Sequence, residues 1–220
     1  MAEAGKVVSG EKASGQPGSA VDQLWLGVLQ QLTGSVAHEL RNALNGVAVN
    51  LEVVRSRSGR DGVAASALGS FATAASDQLE QVIAMTDALM GLTRAAHGPA
   101  VIGRTTDLVA ALIRPRLAVT GGSLELAVEG EAPTSVSAEA ARLFITAVLL
   151  GAVEASRAPG DDTGVVALSC RVRPANGVEL RVDGAFVQPL AVAVGIIRLA
   201  RQHDVGIRPA GSSITMTFPA

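Results

Sequence analysis

The sequence has no tyrosine, one tryptophan and one cysteine, and aromatic residues make up only 2% of its 220 residues. Hydrophobic residues still reach 48%, so alanine, valine and leucine must fill the core, which suits helical packing better than an aromatic-anchored β-sandwich. The lone cysteine, Cys170, excludes a disulfide framework within the chain and is compatible with a reducing compartment. We expect it to be a small buried residue of a strand.

Long apolar runs and clusters of basic residues are also missing. No run of about eighteen apolar residues is uninterrupted, which argues against a membrane span. The net charge of −2, without a run of lysine or arginine, offers no electrostatic surface for nucleic acid. The first residues carry scattered charges and lack the apolar core of a signal peptide. We therefore expect a soluble, cytoplasmic protein that binds neither nucleic acid nor a membrane.

The first half of the sequence has the apolar periodicity of two long helices. Residues 1–20 are rich in glycine, serine and charge without periodicity, which predicts a disordered tail. A helix is predicted over residues 21–57, a break over 58–62, and a second helix over 64–96. The apolar seam of the first helix is predicted at Leu29, Leu32, Val36, Leu40, Leu44, Val47, Leu51 and Val54.

These two helices, residues 21–97, predict an antiparallel hairpin that needs a partner. Two helices alone cannot cover both apolar stripes, because each stripe needs another surface against which to pack. The simplest solution is a four-helix bundle made by two copies of the hairpin. We therefore expect a homodimer.

The second half of the sequence has a mixed α and β pattern. A linker is predicted over residues 98–104, followed by an α/β domain over residues 105–220 with helices on one face of a mixed sheet. The fold class is therefore α+β with two domains. Helices are predicted at residues 107–119, 138–156 and 190–203, and strands at 124–128, 135–136, 165–172, 178–182, 206–208 and 213–218.

One histidine stands out on the first helix. His38 lies two positions from an apolar seam residue on either side, about 200° round the helix, so it points away from the seam. Arg41, Asn42 and Asn45 follow at the spacing that stacks them on the same outward face. An imidazole flanked by Glu39, with an amide one turn further on, is a candidate reactive site.

The surrounding stretch resembles a known family. Residues 38–45 read HELRNALN and closely resemble the phosphoacceptor box of bacterial sensor histidine kinases, which commonly reads HELRNPL; here Ala43 replaces the proline. The hairpin has the layout of that family's dimerisation and histidine-phosphotransfer domain. Residues 105–220 resemble the family's ATP-binding domain in outline, chiefly through residues 150–155 and the closing strand at 214–219.

The resemblance to the ATP-binding domain fails at the nucleotide site. The family holds Mg²⁺ and phosphates through asparagines of the buried helix, where this chain has Ala147 and Gly151. The family's Asp-x-Gly-x-Gly adenine turn corresponds to VDGAF at residues 182–186, and its glycine-rich lid is reduced to residues 187–189. We therefore expect that the chain does not bind ATP, because the residues that hold the metal ion, the adenine and the phosphates in the family are missing. A one-residue shift that would make Asp183 the adenine partner stays open.

The remaining pattern resembles histidine phosphotransferases built on a degenerate kinase body. The resemblance implies that His38 is the nucleophile, that Glu39 accepts a hydrogen bond from the other ring nitrogen, and that Asn42 orients the incoming group. It further implies that Arg41 offsets phosphate charge and that Arg41 and Asn45 contact the partner. No cofactor or metal of its own is expected, because Mg²⁺ would come with the receiver domain.

Three functions follow from these expectations. The first is a phosphotransferase that relays phosphoryl groups between response-regulator receiver domains through His38, with an upstream hybrid histidine kinase as a further candidate partner. The second is a divergent sensor histidine kinase that autophosphorylates His38 from ATP. The third is a dimeric scaffold that binds receivers without chemistry. The other histidines, His97 and His203, are expected to be solvated residues.

Overall fold

Two long helices form an antiparallel hairpin at the start of the chain. The computed structural model describes residues 20–60, 64–94, 98–119, 121–130, 132, 134–156, 167–186 and 192–220. Helix α1 spans Ala20–Ser58 and helix α2 spans Ala65–Thr93, close to the predicted bounds. The predicted tail lies outside the described residues except for Ala20, which begins α1.

The apolar seam predicted for α1 is only partly buried in this single chain. Leu32 and Val36 are buried, whereas Leu44 and Leu51 are 50% and 53% exposed. The buried face is turned relative to the prediction, because α1 packs against α4 as well as against α2. Its buried members are Val28, Leu32, Val36, Glu39 and Ala43.

The second half of the chain combines three helices with one mixed sheet. The sheet order is β1-β2-β3-β5-β4, with β1 parallel to β2 and the other neighbours antiparallel. The α+β prediction is therefore confirmed. The helices are α3 Ile102–Val119, α4 Ala138–Ala155 and α5 Val194–Gln202, and the strands are β1 Ser123–Val128, β2 Ala167–Ala175, β3 Gly177–Gly184, β4 Gly206–Ala210 and β5 Ser213–Phe218.

Some predicted boundaries in this half are wrong. Helix α3 begins at Ile102, inside the predicted linker, where the buried Ile102 side chain anchors the first turn in the core. The predicted strand at residues 135–136 is irregular backbone, although Val136 accepts a hydrogen bond from the Ala100 amide. Helix α5 begins at Val194, later than predicted, and residues 190–191 lie outside the described residues.

Helices cover one face of the sheet. In β3, Val178, Leu180 and Val182 are buried, whereas Arg181 between them is exposed. This alternation places one face of the sheet on the core and the other in solvent. Helix α4 fills the centre of the core, since nearly all of its side chains are buried.

Cys170 lies on β2 and is a free, buried thiol, as predicted. Burial raises the pKa of this thiol to about 12, with Arg114 opposing the rise and Asp183 adding to it. The thiol is therefore protonated and unreactive in the folded chain. Among the described residues, no helix has the length and apolar character that crossing a bilayer requires.

Candidate functional site

His38 lies on the exposed side of α1, in the middle of the helix. Arg41, Asn42 and Asn45 are exposed as well, and their spacing of three, four and seven residues stacks them with His38 along one face. The outward orientation predicted for these four side chains is confirmed. A ring nitrogen of His38 is therefore open to a reactant that approaches from solvent.

Glu39 behaves differently from its neighbours, because it is only 7% exposed. It belongs to the buried face of α1, together with Val36 and Ala43. Glu39 is therefore enclosed by the chain, although it directly follows the exposed His38. Within the described residues, no hydrogen bond joins its carboxylate to the His38 ring, so its role toward His38 stays a prediction.

Two turns beyond His38, α1 and α2 approach each other closely at Gly46. A side chain at this position would meet the amide of the Gln78 side chain of α2, which would have to move. Asn50 stabilises the same contact, because its amide donates to the Gly46 carbonyl at 3.0 Å and to Gln78 Oε1 at 3.2 Å. These contacts fix the backbone of α1 directly below the His38 face.

An arginine that the sequence did not single out lies one turn before His38. Arg116 of α3 donates a hydrogen bond of 3.3 Å from Nη1 to Ser35 Oγ of α1. Arg116 is half-buried and Ser35 lies three residues before His38. The two partners are 81 residues apart in the chain, so no sequence pattern links them. A cation from the second half of the chain is thus held beside the candidate site.

The face of α4 that carries Ala147 and Gly151 packs against α1. Ala147 and Gly151 line a cavity of about 240 Å³, which Leu24 and Val28 of α1 close from the other side. At the edge of this cavity, Gln31 of α1 donates a hydrogen bond of 2.6 Å from its amide Nε2 to Glu154 Oε1 of α4. Neither Ala147 nor Gly151 offers a side-chain oxygen for a metal ion or a phosphate.

Asp183 lies on the solvent-facing side of the sheet. It follows the buried Val182 on β3 and pairs with Arg181 at 2.9 Å, and the two residues of this ion pair occupy alternate outward positions of the strand. Helix α4 packs on the opposite face, so Asp183 does not point toward Ala147 and Gly151. The register shift that would make Asp183 an adenine partner has no support in this geometry, and the predicted short lid at 187–189 lies outside the described residues.

Two further observations complete the site. Among the described residues, no three histidine, cysteine, aspartate or glutamate side chains come together as a metal site would need. His203 is half-buried and its ring lies 6.1 Å from that of Phe144, so it is a packing residue rather than a solvated one. His97 lies outside the described residues.

Comparison with known proteins gives a likeness of fold. No protein-family model matches the sequence, and no curated protein does. Among solved structures, the Acinetobacter baumannii histidine kinase AdeS has a TM-score of 0.41 at 13% identity, with 82% of this chain and 95% of that chain covered. The cytoplasmic segment of histidine kinase QseC has a TM-score of 0.45 at 14% identity, covering 65% and 93% of the two chains.

The histidine kinase domain of the Erythrobacter litoralis EL346 blue-light activated kinase has a TM-score of 0.39 at 16% identity, covering 79% and 94% of the chains. The chain resembles histidine kinase domains in fold. Each of these matches pairs a helical hairpin with a small sheet domain, as this chain does. Because these TM-scores are below 0.5 and the identities are below 25%, function has to be argued from the residues of this chain.

Proposed function

We propose that the chain is a histidine phosphotransferase that relays phosphoryl groups between receiver domains through His38, without binding ATP. The observation that carries this proposal is a contrast between two faces of α1. The His38 face is open to solvent, whereas seven to ten residues earlier in the same helix Gln31 and Val28 lie against the face of α4 that carries Ala147 and Gly151. The proposed acceptor is accessible, whereas α1 and α5 leave a cavity of only about 240 Å³ beside Ala147 and Gly151, below the roughly 300–1,000 Å³ of typical ligand pockets.

The reaction needs only groups that the chain exposes and groups that a receiver brings. A ring nitrogen of His38 attacks the phosphorus of a receiver aspartyl phosphate in line. A nitrogen–phosphorus bond forms, the bond from phosphorus to the aspartyl oxygen breaks, and the aspartate leaves as a carboxylate. The reverse step passes the phosphoryl group to the aspartate of a second receiver. Mg²⁺ enters with the receiver, which also holds the phosphate oxygens.

The neighbours of His38 have distinct roles in this proposal. Asn42, one turn on, orients the incoming phosphoryl group, and Glu39 accepts a hydrogen bond from the second ring nitrogen as positive charge develops on the ring. Arg41 offsets phosphate charge, and Arg41 and Asn45 contact the receiver. Arg116 of α3, held beside Ser35, adds a second cation one turn before His38.

We propose further that two copies of the hairpin form a four-helix bundle. Each helix of the hairpin carries large apolar side chains that this single chain leaves exposed: Leu44 and Leu51 two turns apart on α1, and Leu79 and Ile83 one turn apart on α2. Their exposed fractions lie between 47% and 53%. A second hairpin that covers both stripes would bury them, which favours a dimer over a monomer.

The test is a labelling experiment with the full chain and its His38→Gln variant. A receiver domain carrying labelled aspartyl phosphate with Mg²⁺ is one donor, and labelled ATP with Mg²⁺ is the other. We expect label on the wild-type chain from the receiver only, and none on His38→Gln from either donor. The matched control is His203→Gln, which removes a histidine from the other half of the chain and should still accept label.

Each other outcome points to a different function. Label on His38 from ATP would contradict the ATP-independent relay and favour a kinase with a divergent nucleotide site. Absence of label from both donors, with receiver binding retained, would favour a scaffold. In that case, His38→Ala should leave the partner's function intact.

A further inference from the structure

A second cavity, of about 470 Å³, lies where the end of α2 meets the first turns of α3 and α4. Three arginines, Arg94, Arg104 and Arg142, line it, with Asp87 as the one carboxylate in its wall. The apolar part of the wall comes from Met90, Pro99, Val101 and Leu108. The cavity has the size of a small-molecule site and combines a cationic side with an apolar side.

Positive charge is in excess around this cavity, because three arginines line it while Asp87 is in its wall and Glu139 acts on Arg142. Arg94 and Arg104 are exposed and, in the part of the chain that the structure describes, neither forms an ion pair. Arg142 is held in place, because its guanidinium donates to the Leu92 carbonyl at 3.0 Å and to the Arg94 carbonyl. It therefore fixes the end of α2 against the start of α4.

The charge of Arg104 acts on Arg142, which lines the same cavity. Burial lowers the pKa of its guanidinium, Glu139 opposes that shift, and the charge of Arg104 adds to it. Arg104 and Arg142 thus repel each other across the cavity. A bound anion between them would relieve that repulsion, which is the electrostatic condition that phosphate sites meet.

The first turn of α3 adds to the positive character. Arg104 and Thr105 of this turn and the preceding Val101 border the cavity, and no acidic side chain lies in this turn. The unpaired amides at the start of a helix carry partial positive charge, which favours an anion nearby. The partial positive charge at the start of α3 adds to that of the arginines, and it would not by itself define a binding site.

We propose that this cavity binds a small organic phosphate, with the phosphate between Arg94, Arg104 and Arg142 and the organic part against Met90 and Leu108. The site is separate from the His38 face and from the cavity lined by Ala147 and Gly151. It does not depend on the relay function. Because it joins α2 to α3 and α4, its occupant bridges the helical hairpin and the sheet domain.

Isothermal titration calorimetry of the full chain tests the site, with AMP, inorganic phosphate and adenosine as probes in the absence of Mg²⁺. AMP should bind, inorganic phosphate should bind more weakly, and adenosine should bind at least about tenfold more weakly than AMP. Trp25, the only tryptophan, gives a second readout. It lies half-buried in the adjoining cleft with Arg94 and Arg142, so AMP should change its fluorescence.

Variants locate the binding. Arg104→Gln removes an exposed cation and should lower the affinity for AMP about tenfold. Arg94→Gln should also lower it. Arg198→Gln changes an exposed arginine of α5 outside the cavity and should leave the affinity unchanged. Circular dichroism spectra of the three variants establish that each is folded.

Three results would overturn the proposal. One is the absence of AMP and phosphate binding tighter than about 1 mM. Another is an affinity for AMP no higher than that for inorganic phosphate, which would show that the organic part of the ligand makes no contribution to binding. The third is loss of AMP binding in Gly151→Leu with full binding in Arg104→Gln, which would move the ligand to the cavity between α1 and α4.

Discussion

Arg116 Nη1 of α3 donates a hydrogen bond of 3.3 Å to Ser35 Oγ of α1, one turn before His38. This contact brings a cation of the second half of the chain to the acceptor helix. It also ties the orientation of α3 to the surface that a receiver would meet. The hairpin and the α/β half therefore both contribute to the candidate site.

Arg116→Gln tests this contribution. We expect transfer from a phosphorylated receiver to fall about tenfold, because a cation near the transferred phosphoryl group is lost. Ser35→Ala removes the hydrogen bond but keeps the arginine, so it should have a smaller effect. Single-turnover transfer rates measure both. Equal transfer rates for Arg116→Gln and the wild type would indicate that Arg41 alone offsets the negative charge of the phosphoryl group.

Glu39→Gln separates catalysis from stability. We expect transfer to fall by about 10²-fold, because the amide no longer supports positive charge on the His38 ring. The free energy of unfolding should stay the same or rise, since a charge is removed from the hairpin interior. Urea denaturation and transfer kinetics are measured on the same samples, with the exposed Glu52→Gln as control. A drop in stability with full transfer would make Glu39 a structural residue.

Leu51→Lys tests the proposed dimer. The side chain is 53% exposed in the single chain, and a charge at the centre of a four-helix bundle should shift the protein to a monomer. Light scattering after gel filtration gives the mass. Val49→Lys is the matched control, because Val49 is 63% exposed but lies on the His38 side of α1. A wild-type chain that is already monomeric would contradict the bundle.

Cys170 gives the fold a dependence on alkaline pH. Burial raises the pKa of its thiol from 9.0 to about 12, so between these values the unfolded chain loses a proton that the folded chain retains. The contribution of the Cys170 thiol to the free energy of unfolding is therefore fully present below pH 9. It falls as the pH rises, by at most about 1.4 kcal/mol per pH unit. Denaturation from pH 8 to 10.5 should show a shallower decline for Cys170→Ala. Parallel declines for the two proteins would contradict this account.

Local sequence pattern was enough to predict the two long helices and the face on which His38 lies. Helix periodicity depends on neighbours three and four positions away, so the exposure of His38, Arg41, Asn42 and Asn45 follows from spacing alone. The buried α4 and the alternating strands were also predictable, because their patterns are equally local.

Contacts between distant parts of the chain decided the rest. Glu39 is buried because α1 turns its face toward α2 and α4, and no pattern within α1 records that direction. Gln31 meets Glu154 across 123 residues, and Arg116 meets Ser35 across 81. The sequence alone determined the first helix, its exposed histidine and the small residues at positions 147 and 151. Only the tertiary structure could decide which residues lie against Ala147 and Gly151 and which cation lies beside His38, because packing of separate elements sets both.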